Sequence, residues 1–180
     1  MSGAGLSRHL LFVGLPAAGK TTVGRLVARA LRVPFVDGDA MVSSATGGAT
    51  PGAILARDGE AAFRRLEREA VEAALAGPAA VISPGGGWAV QPGALESVGG
   101  RAYIIYLRVD PATAARRAVA DPAVVRPLLG DDPPELMRNL LARREGYYRR
   151  ADACVDAGDA RPPTEVAAEV LRLSSFLITT

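Results

Sequence analysis

Residues Gly14-Leu15-Pro16-Ala17-Ala18-Gly19-Lys20-Thr21 form an uninterrupted GxxxxGK[ST] match, and no other stretch constrains the fold as tightly. Such a loop works only between a strand and a helix. Its backbone N–H groups must face an anion, and the positive end of the following helix must point to the same place. The flanks comply. Residues 10–13 are an apolar run suited to a buried strand, and residues 22–31 carry Val23, Leu26, Val27, Ala30 and Leu31 at helical spacing. In that arrangement Lys20 reaches the β- and γ-phosphates of a nucleoside triphosphate, and the Thr21 hydroxyl ligates Mg2+. Of the 21 basic residues, 20 are arginine and only Lys20 is lysine. A chance match is therefore expected on the order of 0.001 times. The loop, with Thr22 beside it, is the expected nucleotide-binding element.

The rest of the chain alternates between the two kinds of segment, with no internal repeat and no low-complexity linker. Further strands are expected at 33–36, 79–83, 102–107 and 153–155. Helices are expected at 59–76, 92–98, 111–120, 135–150 and 163–173, the third opened by Asp110 as N-cap with Pro111 at the first helical position. Residues 121–134, rich in proline and aspartate, read as a loop. Strands separated by helices imply a three-layer α/β/α domain around a parallel sheet, and 180 residues suit a single domain. Ligands of such sheets bind beyond the carboxyl ends of the strands.

That rule selects three further segments. Asp37-Gly38-Asp39 follows the second strand, the triplet Gly85-Gly86-Gly87 follows the third, and Arg126 lies in the proline-rich loop after the fourth unit. Two carboxylates at i and i+2 beside a phosphate loop can divide the work of phosphoryl transfer. One holds magnesium through water and the other receives the proton of an attacking hydroxyl. The competing reading makes one of them the N-cap of the next helix.

Composition removes other classes. A net charge of +2 with no dense basic block argues against nucleic acid, and no apolar run reaches the ~18 residues of a membrane span. The first seven residues lack the order of a secretory signal, so a cytoplasmic protein is expected. Cys154 is the single cysteine and His9 the single histidine, which leaves no internal disulfide and no zinc cluster. His9 reads as a residue at the edge of the first strand and Cys154 as a small buried apolar side chain.

The motifs occur in the order found in shikimate kinases. Gly14 to Thr21, Asp37-x-Asp39, Gly59-Glu60, Phe63-Arg64-Arg65-Leu66-Glu67, Gly85-Gly86-Gly87, Arg126-Pro127-Leu128-Leu129, and Arg144 with Tyr148 carry the resemblance, which runs from about residue 10 to residue 173. It implies a five-stranded parallel sheet of order 2-3-1-4-5 and transfer of the ATP γ-phosphate to the 3-hydroxyl of shikimate, on the route to chorismate and the aromatic amino acids. It further implies that Asp39, Arg64, Gly85, Gly86, Gly87 and Arg144 contact shikimate. Asp37 would hold the magnesium hydration shell together with Thr21. Arg126 would reach the phosphates from a lid at about 119–136, and Arg117 and Arg161 would approach the nucleotide. The substrate-binding region would span about 39–68, and a monomer is expected.

The residue chemistry agrees. A guanidinium offers a planar fork to a carboxylate, which lysine cannot match. Glu67, at i+3 from Arg64, can brace it. The glycines leave room for a substrate to touch backbone. Arg65 and Arg68 read as solvated charges. Several positions depart from the family pattern: Pro84 precedes the triplet, Trp88 follows it, and Arg116-Arg117 lacks the usual glycine-asparagine. Trp88 could pack beneath the turn as core or line the mouth of the acceptor site. A kinase for another hydroxy acid such as gluconate is the nearest alternative, and a non-catalytic nucleotide-binding module is a second.

Overall fold

The computed structural model describes residues 5–121 and 130–179. Arg126 and the middle of the expected lid, residues 122–129, lie outside these residues. Five strands form the main sheet: β1 His9–Val13, β2 Phe35–Asp37, β3 Val81–Ser83, β4 Ala102–Arg108 and β5 Ala153–Asp156. All pairings are parallel, in the order β2-β3-β1-β4-β5, which is the expected topology. Leu10, Leu11 and Phe12 are successive residues of β1 with no exposed surface, so this central strand is covered on both faces. Continuous apolar runs are what such a strand requires.

Seven helices flank the sheet among the described residues: α1 Lys20–Leu31, α2 Gly38–Ala45, α3 Pro51–Ala76, α4 Ala94–Val98, α5 Pro111–Ala120, α6 Pro133–Tyr148 and α7 Pro163–Leu173. Helices α5 and α7 have the expected bounds. Helix α3 is longer than expected at its N-terminal end. Thr50 caps it by accepting from the Ala53 N–H, Pro51 stands in the first turn, and Gly59 (φ 83°) kinks it. The positive φ explains why helical periodicity starts only at Gly59: the segment before it turns on a different axis. Helix α2 has no counterpart among the expected helix ranges and was anticipated only by the N-cap reading of the Asp37–Asp39 pair. Together with α3 it encloses a small separate core of Val42, Ile54, Phe63 and Ala70. Helix α6 starts two residues before its expected position, with Asp132 as N-cap and prolines in the first turn.

The ends also differ from expectation. Ile178–Thr179 pairs antiparallel with Gly5–Leu6, a ribbon that no periodicity in residues 174–180 announced. Cys154 is exposed, which corrects its assignment to the core. It lies on the edge strand β5, where Val155 points inward and its neighbours do not.

His9 is buried, and its Nδ1 accepts a 3.1 Å hydrogen bond from the Ala80 N–H. Burial lowers its pKa below 6.5, with the Arg101 charge acting in the same direction and a backbone hydrogen bond near Leu75 opposing. The native state therefore prefers neutral His9, and the unfolded chain takes up the proton first. This contribution to stability is complete above pH 6.5 and is lost as pH falls through and below that value. Denaturant titrations between about pH 8 and 5 should show the loss. In His9→Asn, which keeps an acceptor but cannot titrate in this range, the loss should be smaller; an unchanged profile would remove His9 from the account.

Candidate active site

A cavity of about 610 Å³ opens beyond the carboxyl ends of β1, β2 and β3. One wall is the phosphate loop from Pro16 to Thr22, and another is formed by Asp37, Asp39, Gly85 and Gly86. Arg117, Asp159 and Arg161 line the remaining side. Gly14 and Leu15 lie beneath the loop instead of lining it. Their carbonyls accept from Lys20 Nζ at 3.0 and 2.7 Å. Burial pulls the Lys20 ammonium down to about 8, although Asp39 and Asp37 favour its charged form.

Asp37 is the N-capping member of the DxD pair, and its second carboxylate oxygen is turned to the phosphate loop. Its Oδ1 accepts from the Asp39 and Ala40 N–H groups at 3.1 and 3.3 Å and so caps α2. Its Oδ2 accepts from the Thr21 hydroxyl at 3.2 Å. A hydroxyl and a carboxylate thus meet at the start of α1, which is an oxygen donor set suited to Mg2+. Asp39 stands in the first turn of α2, at the cavity wall. The loss of surrounding water, then the Asp37 charge, raises its carboxyl above the usual range, with Lys20 and Arg64 opposing.

The glycine triplet is the meeting point of the acceptor side. A Cβ on Gly85 would collide with the Glu67 carboxylate and lie 3.2 Å from Asp39 Oδ1. One on Gly86 would lie 3.0 Å from Pro16 Cδ, and one on Gly87 only 2.6 Å from an Arg64 guanidinium nitrogen. The space expected for substrate against these glycines is filled largely by the protein's own side chains. The Gly86 carbonyl accepts from Arg144 at 3.1 Å and from the Tyr148 hydroxyl at 2.6 Å, both on α6. Arg64 and Arg144 therefore arrive at adjacent residues of one turn from two different helices.

Glu67 braces Arg64 as expected, accepting from it at 2.6 Å. Sequence reasoning missed Gln91, whose Nε2 donates to the same carboxylate at 3.0 Å. Glu67 is 3% exposed, so this support is internal. The second partner of Arg64 is different in kind. Glu60 is exposed and holds the guanidinium only at 3.3–3.4 Å. Arg65 and Arg68 are solvent-exposed, as expected. Arg161 faces the cavity, yet its guanidinium is tied to Glu169 at 2.6 Å and to the Asp156 carbonyl at 2.9 Å.

Trp88 is 1% exposed and belongs to the main core. It does not line the phosphate cavity; it lines a separate one with Val71 and Pro92. Of its two readings the structure holds the first. Trp88→Ala should cost about 3–5 kcal/mol of stability and leave the KM of the acceptor within about twofold, since area lost from a core does not reach a ligand. A raised KM at unchanged stability would reverse that assignment.

Comparison with known proteins adds independent findings. The family model described as shikimate kinase matches residues 16–174. A curated shikimate kinase of Mycobacterium avium (strain 104) is 43% identical over 166 residues, covering 91% of this chain and 92% of the relative. Among solved structures, shikimate kinase from Bacteroides thetaiotaomicron is similar with a TM-score of 0.83 and 29% identity, over 94% of this chain and 98% of that one. The shikimate kinase from Acinetobacter baumannii in complex with shikimate gives 0.81 and 29%, over 92% of each chain.

Proposed function

The chain belongs to the shikimate kinase family, and from that premise we propose how its cavity carries out the reaction. The enzyme transfers the γ-phosphoryl group of ATP to the 3-hydroxyl of shikimate, giving shikimate 3-phosphate and ADP, in the biosynthesis of aromatic amino acids. One observation carries the assignment of groups: a single cavity joins the phosphate loop to Asp39 and Gly86, the turn at which both arginines meet.

The loop amides and the N-terminus of α1 cradle the phosphates, where the helix dipole favours negative charge. Lys20 exchanges its loop carbonyls for phosphate oxygens and neutralises the charge that spreads over the transferred group. Thr21 and, through water, Asp37 would hold Mg2+, which would screen the phosphate charge. Asp39 takes the proton of the attacking hydroxyl, a role suited to a carboxyl raised above its usual range. Shikimate is a small anion with three hydroxyls. Its carboxylate takes the place of the exposed Glu60 on Arg64 and reaches Arg144 from the other side, so charge and orientation are fixed together. Gly85, Gly86 and Gly87 set the floor of that subsite. Arg117 and Arg161 bound the nucleotide end, and Arg126 covers the phosphates and excludes water. On this reading the enzyme is a cytoplasmic monomer.

A coupled ADP-release assay over shikimate, gluconate and water tests the assignment. Rapid release is expected with shikimate alone. Equal release with gluconate would favour a broader hydroxy-acid kinase, and release independent of any acceptor would mean that water reaches the phosphates.

A further inference from the structure

On the nucleotide side of the cavity, Arg117 belongs to a group of side chains whose other members the reaction above leaves without a role. Asp159, in the loop between β5 and α7, accepts from three donors on α5. Thr113 Oγ1 approaches at 3.2 Å, Arg117 at 3.1 Å through Nε and 3.0 Å through a terminal nitrogen, and Arg116 closes on the other oxygen. Asp159 and Arg117 both line the cavity. The carboxylate is about half exposed, at 48%. Ion pairs at such exposure add little to stability, so three donors on one carboxylate need another explanation.

We propose that Asp159 is a positioning residue for the nucleotide. It ties α5 to the loop before α7 and holds the Arg117 guanidinium at the cavity wall in one orientation. The proposal rests on the reading that this cavity takes ATP and that Arg117 touches it. Its strength is that charge alone makes the opposite prediction. Two guanidiniums and one carboxylate leave this cluster at +1, and removing the carboxylate leaves it at +2. If attraction of the triphosphate were the only effect, Asp159→Asn would tighten ATP. If orientation governs, it weakens ATP, because an arginine freed to move must be ordered again on binding.

Steady-state kinetics on Asp159→Asn, Asp159→Glu, Arg117→Ala and the Asp159→Asn/Arg117→Ala double variant test this. Asp159→Asn should raise KM for ATP about five- to tenfold, the scale of coupling between contacting side chains. The values of kcat at saturating ATP and KM for shikimate should move less than about twofold. Asp159→Glu should recover most of the loss. Arg117→Ala should raise KM for ATP, and the double variant should be no worse than Arg117→Ala alone, because Asp159 acts through that arginine. An unchanged or lowered KM in Asp159→Asn, with a raised one in Arg117→Ala, overturns the proposal and leaves the ATP reading intact. An unchanged KM for ATP in Arg117→Ala overturns the assignment of Arg117 and the proposal with it. Parallel loss of Tm, kcat and both KM values in Asp159→Asn would show a merely structural tie, which also overturns it.

Discussion

Lys20→Ala should lower kcat by about a thousandfold or more while the protein still folds, with Tm within a few degrees of wild type. The size follows from what is removed. A preorganised cation aimed at developing phosphate charge in a walled site contributes on the order of 10²–10³ or more to rate. The folding expectation follows from the burial of the ammonium, which lowers its pKa to about 8. A buried ammonium costs desolvation free energy, offset here by two hydrogen bonds to the Gly14 and Leu15 carbonyls. Lys20→Ala relieves that desolvation cost but leaves the two carbonyls without this donor, a loss of about 1–3 kcal/mol each at most, and the two effects oppose one another. Circular dichroism and single-turnover phosphoryl transfer, measured on the same sample, separate the two effects. Near-normal turnover would refute the phosphate-loop assignment.

Asp39→Asn should reduce kcat by about 10²–10⁴, the range for loss of a positioned general base. Its pH profile is the more specific test. Activity should require ionised Asp39, so the wild-type rate rises with pH through the pKa of that carboxyl. Because the pKa is raised from 3.8, the acid limb should lie above the ordinary aspartate range. The residual activity of Asp39→Asn should lack this limb, while ATP binding measured without shikimate stays close to wild type. Retention of the limb in the variant would assign it to another group and remove Asp39 from proton transfer.

The parts of the site legible in the sequence are those in which chemistry demands a residue type at a fixed spacing. The phosphate loop, the DxD pair and the Arg64–Glu67 brace are of this kind, and all three appear where expected. The strand order followed from family resemblance, and the run of strands and helices from periodicity. What stayed hidden depends on tertiary proximity. Gln91 reaches Glu67 across 24 residues, and Asp159 reaches Arg117 across 42. A lone amide or carboxylate in an irregular segment carries no periodic signal. Trp88 was ambiguous for a related reason: it ends a turn, and only packing decides on which side of that turn the ring falls. Helix α2 went without bounds because its eight residues make little more than two turns, too few to show a period, although the capping reading of the Asp37–Asp39 pair pointed to a helix there.

The glycine triplet has a consequence for how this enzyme could change. Each of its three positions is crowded by a different part of the machinery: Glu67 and Asp39 at Gly85, the phosphate loop at Gly86, and Arg64 at Gly87. A Cβ at Gly85 or Gly87 would push aside the end of the Glu67 or Arg64 side chain, and one at Gly86 would press on Pro16 of the phosphate loop. A change anywhere in this turn is therefore felt by a helix or loop on the far side of the cavity wall. On the proposed reading, an inhibitor seated on the turn's backbone would meet a surface coupled to both substrates. A change in α3 or α6 that loosened its grip would also disturb Arg64 or Arg144, and acceptor affinity would report it.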